Sequence, residues 1–374
     1  MTARVVLSDN PWFFSQRGRN GCIENRDGEC KYPMMTEEEL SAMVVPAARD
    51  AILFMWVTMA NWPMCIRVLR AWGFTYVGPH IIWLKHASTG TQTFSGIGAH
   101  TASNIEILVM GRRGDIAPGL VPAQRRLDTY QKVVHSVKPS EVHDEVLRVC
   151  AEHGLGRPLE MFARCTTRPG FDFGVGDQQA LYAGMSPDEV AAHARKVLVP
   201  APAKAPRATK KAKVVAVERQ VVDNPASLYP DQAYVITVLP LTTPANLARL
   251  DIAAALAPDS LLVVECSAET LEPAMAVFTE QTGVVYKTIL FYAYAEDDLY
   301  DSRFFMVLSP PGSSVKRIRK AYLKQTVDAT GLCDLDRFNL VMERVATAFG
   351  HVRTAVVRFG DGGVYTVEER FCEG

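Results

Sequence analysis

The amino-acid sequence reads as an α/β chain with a doubly wound sheet, and three features carry that reading. Ala51 to Thr58, AILFMWVT, is a continuous apolar run of strand length, as a parallel strand covered on both faces requires. Strand and helix alternate along the first half at the spacing of βαβ units. The order of elements then returns in weakened form in the second half, the mark of an internal repeat.

In chain order, the first strand, Val5-Val6-Leu7, stops at Ser8-Asp9-Asn10-Pro11-Trp12. That tip combines an acceptor, a residue of fixed φ and a flat apolar ring. Asp and Asn-Pro are equally at home in ordinary turns, and these residues alone favour that plainer reading. Residues 15 to 31, rich in Gly, Asn, Arg and Asp, read as a loop. Thr36 is placed to cap a short helix, with Glu39 completing a capping box. After AILFMWVT, residues 62 to 72 read as a helix ended by Gly73, and Tyr76 to Lys85 as a strand. A long loop over 86 to 104 leads to a strand, Ile105 to Met110, closed by Gly111-Arg112-Arg113-Gly114. A polar loop with Arg125 and Arg126 follows. A helix over 140 to 153 has Pro139 near its first turn, and Leu159 to Ala163 is a short strand with Glu160 inside it.

The 374 residues, 48% hydrophobic and 22% charged, suffice for two domains with an ample core. A net charge of -1 gives no global attraction to nucleic acid, so any polynucleotide must be held by local basic patches. The eight cysteines form no C-x-x-C pair, and are expected to be reduced thiols of an intracellular protein with neither zinc nor disulfides. No signal peptide and no bilayer-length apolar stretch is seen, so no membrane partner is expected.

Ligands of such sheets sit beyond the carboxyl ends of the strands, where Asp9, Trp56 and Trp83 all fall. The 6-amino nitrogen of adenine is a poor nucleophile because its lone pair is delocalised into the ring. A carboxylate and a backbone carbonyl accepting its two N–H bonds favour a tetrahedral nitrogen, and Trp12 is placed to stack on such a ring. Lys138, beside the amino end of a helix, suits a carboxylate such as that of a methionine moiety.

The succession Asp-x-Pro-Trp, Tyr-Pro-x-Met before a Glu-rich helix, LFMWVT, WGFTYV with IIWLK, LVMGRRG, and HSVKP with LEMFAR and PGF covers about residues 4 to 178. It resembles the seventy-kilodalton-subunit (MT-A70-like) family of mRNA adenine-N6 methyltransferases. The resemblance implies a Rossmann-like fold that uses S-adenosylmethionine and no metal. It makes Asp9, Asn10, Pro11 and Trp12 the catalytic motif, with Asn10 in place of the usual first proline, whose backbone carbonyl the family uses. Tyr32, Trp56 and Trp83 match positions near the target adenine. Lys138 matches the lysine that holds the methionine part of the cofactor, and Arg164, Asp177 and Gln178 match positions near its ribose. Asp9, Glu160 and Phe162 join that cofactor set. Asp177 stands where the family usually has Asn, and Phe171 where it usually has Trp.

Pro200 to Arg207 and Lys210 to Lys213 form a basic proline-alanine linker. The expected division is a catalytic domain over 1–185, a linker over 186–214 and a degenerate methyltransferase-like domain over 215–374, packed on the first. In that second half Leu239 takes the place of Asp9, while SLLVVE and TILFY keep the apolar pattern. Arg112, Arg113, Lys210 and Lys211 are expected to touch substrate phosphates. The function expected is methyl transfer to the 6-amino group of adenine in single-stranded or unpaired nucleic acid, RNA slightly favoured over DNA. A catalytically inactive nucleic-acid-binding protein is the alternative.

Overall fold

The computed structural model describes residues 2–14, 22–24, 30–86, 104–116, 126–131, 137–164, 168–176, 213–222, 234–238, 261–267, 269–278, 284–293, 303–309, 326–328, 353–359 and 365–373. The chain divides into two compact units, Met1–Phe94 with Ile105–Ala203, and Ser95–Asn104 with Lys204–Gly374.

The first unit contains β1 (Ala3–Ser8), β2 (Cys22–Glu24), β3 (Cys30–Pro33), α1 (Glu37–Ser41), β4 (Ala47–Thr58), α2 (Trp62–Ala71), β5 (Thr75–His86), β6 (Ile105–Arg113), β7 (Arg126–Gln131), α3 (Ser140–Glu152), β8 (Leu159–Met161) and β9 (Asp172–Val175). Its sheet runs β7-β5-β6-β4-β1-β8-β9. Ala51 to Val57 on β4 are all buried, as an unbroken apolar strand between two helix layers must be. Side chains alternate across the sheet, so consecutive residues report its two faces. Phe54 belongs to the core cluster with Val142, Val146 and Val149 of α3, whereas Met55 meets the thiol of Cys65 on α2, Sγ to Sδ 3.5 Å. Helices therefore cover both faces, as expected of a doubly wound sheet.

The capping box before α1 is formed, the Glu39 amide donating to Thr36 Oγ1 (3.3 Å) and the Thr36 amide to Glu39 Oε2 (2.8 Å). Three local expectations are corrected. Part of the stretch expected as a loop after the first motif pairs as the β2–β3 hairpin. Strands of three and four residues are too short to show alternation. Arg126 opens β7 on the sheet edge, where a polar loop was expected. Most consequentially, β6 lies between β4 and β5 and runs antiparallel to both, so the sheet is mixed.

The second unit contains β10 (Lys213–Val222), β11 (Tyr234–Val238), β12 (Leu261–Cys266), α4 (Leu271–Ala276), β13 (Val285–Ala293), β14 (Arg303–Ser309), β15 (Thr326–Asp328), β16 (Arg353–Phe359) and β17 (Tyr365–Glu373). β10 begins inside the stretch read as a linker. Read from β15, the order is β15-β13-β14-β12-β11-β16-β17-β10. β11 is parallel to β12 and β16, β13 is parallel to β15, and β14 is antiparallel to both of its neighbours. These are the directions of β1, β4, β8, β5, β7 and β6. The match ends at the far edge, where β17 runs antiparallel to β16 but β9 runs parallel to β8. Among the described residues, no helix is long and apolar enough to cross a membrane.

Candidate active site

Asp9 follows directly on β1, between β4 and β8. Its Oδ1 lies 2.7 Å from Lys138 Nζ and its Oδ2 3.4 Å from Arg164 Nε. Lys138, in the segment leading into α3, also reaches Glu106 Oε2 at 3.1 Å, and Glu106 Oε1 lies 2.5 Å from Lys85 Nζ. The Lys138 side chain is only 9% exposed and that of Glu106 13%, so these are buried ion pairs whose charges depend on one another. Burial pushes the Glu106 carboxyl up, but Lys138 and Lys85 outweigh it and hold its pKa well below the usual carboxylate range. Burial likewise opposes the charge on Lys138, yet Asp9 and Glu106 together raise its pKa above the ordinary lysine value despite the nearby Arg164. Three cations, Lys85, Lys138 and Arg164, and two carboxylates, Asp9 and Glu106, meet in this chain of contacts.

The turn after Asp9 is pinned from several sides. Asn10 is buried; its Oδ1 accepts from Ser8 Oγ and its Nδ2 donates to Met55 Sδ at 3.8 Å. Its backbone carbonyl accepts from the Trp12 amide at 2.9 Å, which leaves the oxygen a second lone pair. Met35 and the motif pair backbone to backbone, the Met35 amide donating to the Pro11 carbonyl (2.8 Å) and the Phe13 amide to the Met35 carbonyl (3.1 Å). Hydrogen bonds from the Asn10 side chain thus do what a proline ring would do by fixing φ.

The tryptophans form the floor of the site. Trp12 is 4% exposed and its Nε1 donates to the Trp56 carbonyl at 2.9 Å, so in this structure its face is packed, not open for a base to stack on. Trp56 and Trp83 are also buried and meet edge to face, centroids 6.0 Å apart. Lys138 Nζ lies 5.8 Å from the Trp56 ring centroid and Lys85 Nζ 5.4 Å from that of Trp83. Trp56 Nε1 is buried with no hydrogen-bond partner among the described residues.

The profile of the family described as MT-A70 matches residues 3–178. A Type II methyltransferase from a Mycoplasma species, M.MunI, is 31% identical over 177 residues, which is 43% of this chain and 72% of that protein. The chain belongs to the MT-A70 family. As an MT-A70 member it is a methyltransferase by descent, and methyltransferases of this kind use S-adenosylmethionine.

The residues fit that cofactor on their own chemistry. The ammonium of Lys138 and the guanidinium of Arg164 are donors of the kind that suits a carboxylate. Glu160 Oε2 is buried and meets no donor among the described residues. Phe162, buried with φ of 59°, follows β8, and its amide donates to the Val175 carbonyl at 2.8 Å. A Cβ on Gly176 would stand 2.5 Å from the Phe162 ring, so this corner admits only glycine.

The structure thus gathers Asp9, Asn10, Pro11, Trp12, Trp56, Trp83, Lys138, Glu160, Phe162 and Arg164 around the carboxyl ends of β1, β4, β5 and β8. Tyr32 lies on β3. Asp177, Gln178, Lys210 and Lys211 lie outside the described residues. Arg112 and Arg113 do not belong to the site. Because β6 is antiparallel, they pair with Ile52 and Ala51 at the opposite end of β4. Arg113 is spent on the carbonyls of Ala47, Ala48 (2.8 Å) and Trp72 (3.2 Å), with Phe74 beneath its guanidinium. The same reversal brings Glu106 to the rim opposite Thr58. Glu106 and Lys85 were missed; the available signal was a lone acid in the apolar run IEILVM and a lysine ending IIWLK.

Proposed function

We propose that this MT-A70 protein transfers a methyl group from S-adenosylmethionine to the 6-amino group of adenine in a polynucleotide. The observation that carries the reading is the Asp9 carboxylate, held between Lys138 and Arg164 beside a carbonyl with a lone pair to spare. Asp9 accepts one amino N–H and the Asn10 carbonyl the other, which draws electron density onto the nitrogen as it attacks. Lys138 and Arg164 hold the carboxylate in place from both oxygens, while the buried turn keeps the carbonyl in place. The cofactor would supply a methyl group on a sulfonium, an electrophile that needs no metal: as the N–CH3 bond forms the S–CH3 bond breaks, leaving a neutral thioether, and one amino proton is lost to solvent. Lys138 and Arg164 would hold the cofactor's carboxylate beside Asp9, and Glu160 Oε2 would accept from a cofactor hydroxyl or amino group. Much of the acceleration comes from alignment in a closed site.

Tritiated methyl transfer to matched RNA and DNA oligonucleotides tests the reading. Adenine-dependent incorporation supports it, and none into either polymer overturns it. The sequence motifs lean slightly to RNA, whereas likeness to a Type II methyltransferase weighs toward DNA. The base must be unpaired or extruded to reach a site at this depth.

The second unit reads as an inactive copy that supports the first. Its strand order and directions repeat those of the first sheet from β15 to β16. At the position where Glu106 faces Thr58, Phe304 faces Cys266, and where Glu160 faces Leu7, Val356 faces Thr237. Charged site groups are thus replaced by apolar ones while the sheet persists. Lys210 and Lys211, with their linker neighbours, are the proposed phosphate contacts. Neutralising Lys204, Arg207, Lys210, Lys211 and Lys213 should weaken polynucleotide binding and flatten its salt dependence.

A further inference from the structure

Both ring nitrogens of His143 face acceptors. Nδ1 lies 3.2 Å from the Pro139 carbonyl oxygen and Nε2 lies 3.2 Å from Glu160 Oε1. A carbonyl oxygen does not donate, so Nδ1 carries a hydrogen. The second contact then needs a hydrogen of its own. Either Nε2 carries it, making an imidazolium, or Glu160 carries it, making a carboxylic acid. Both states hold one proton more than a neutral ring beside a carboxylate, and they are two descriptions of one coupled pair. His143 is 5% and Glu160 9% exposed, so water is poorly placed to rescue two opposed lone pairs.

The ring also sits where it matters to the site. Pro139 is the residue after Lys138, so His143 ties the backbone beside Lys138 to Glu160 on β8. It thereby fixes two cofactor groups that come from different elements. The Phe171 ring closes over it edge to face, centroids 5.6 Å apart. Among the described residues, the groups facing the ring are Glu160 from β8, Phe171 from the segment after it and the Pro139 carbonyl from its own segment. The charged neighbours Glu141 and Asp144 on α3 are exposed, and Lys138 is engaged by Asp9 and Glu106.

We propose that His143 is a positioning residue of the cofactor site: it shares one proton with Glu160, anchors Oε1 and leaves the buried Oε2 as the acceptor for S-adenosylmethionine. The identity of the ligand rests on the proposed function; the proton count does not. Without a donor at this position, Oε1 loses its anchor. Glutamine at position 143 offers a donor of similar reach, and leucine offers none.

The test uses the full chain, with isothermal calorimetry of S-adenosylmethionine binding and nitrogen-15 histidine spectra at neutral pH. In the wild type, Nδ1 is protonated and a downfield proton resonance marks the Nε2–Oε1 contact, absent from His143→Gln. His143→Gln keeps the wild-type affinity, whereas His143→Leu binds on the order of tenfold to a hundredfold more weakly, the worth of a hydrogen bond to a charged group. A neutral ring with a bare Nε2, or the same affinity in all three proteins, overturns the inference. Should His143→Leu fail to fold, the spectra and the glutamine variant still decide. A wild type that binds no cofactor overturns the proposed function instead, while the spectra still settle the proton count.

Discussion

Asp9 is gripped by Lys138 on one oxygen and Arg164 on the other, so substitutions there separate chemistry from stability. Asp9→Ala removes the acceptor for the amino group and should lower turnover by roughly a hundredfold to a thousandfold, the effect of deleting one preorganised electrostatic partner. Asp9→Asn keeps the shape and loses the charge, and should be severely impaired too. Circular dichroism should show both folded, because Lys138 retains Glu106 as a partner; substantial turnover by Asp9→Ala would remove the central argument. Arg113 gives the opposite signature. Arg113→Ala abandons three backbone carbonyls and the Phe74 face, and should destabilise by about 3 kcal/mol while leaving the rate per folded molecule unchanged. Denaturant melts and single-turnover rates distinguish the two. At this scale the sequence was legible wherever geometry is local. Asp9, Asn10 and Pro11 make a turn readable in a few letters, and Lys138 announces itself beside a proline before a helix. The burial of Trp12 was not legible, because its partner, the Trp56 carbonyl, lies 44 residues away.

β6 is the element that decides which side chains meet. Its antiparallel course places Glu106, not Arg112 and Arg113, beside Lys85 and Lys138. An apolar run shows that a strand exists but not which way it points, since both directions bury the same alternating faces. That is why the strand was read correctly and its charged ends were not. The network it completes is expected to set the acid limit of the fold. The Glu106 pKa is depressed below its ordinary 4.5, so its contribution is present above that pH and is lost as the pH falls through the lower, folded-state value. The raised pKa of Lys138 acts at the other end, its contribution holding below 10.5 and fading as the pH climbs through the higher folded value. Glu106→Gln should therefore cost about 3 kcal/mol at neutral pH, by removing the carboxylate from between two buried cations and leaving Lys138 with Asp9 alone as its carboxylate, and should flatten the decline in stability below pH 4.5. Thermal melts of both proteins over the acid range check this, and parallel curves would speak against it.

For the whole molecule, the repeat of strand order with loss of charged groups leads to a stoichiometry. One S-adenosylmethionine should bind per chain, since Phe304 and Val356 occupy the places of Glu106 and Glu160. Residues 1 to 185 alone should be poorly active and partly rescued by residues 215 to 374 in trans; two sites per chain by calorimetry, or full activity from the first fragment, would sink the division of labour. The strands of SLLVVE and TILFY were legible in the sequence, whereas β17 was not, because its antiparallel return has no counterpart in β9. The place of β6 also bears on how the protein is made. On the ribosome, β4 and β5 emerge first, yet they cannot pair with each other, since the strand that joins them is still to be synthesised. At roughly 5–20 residues per second, both wait for seconds with bare, apolar edges. β12 and β13 wait in the same way for β14. Each half of the nascent chain thus passes through an interval in which it is open to intermolecular pairing, and slower translation through residues 87 to 104 would lengthen the first of them.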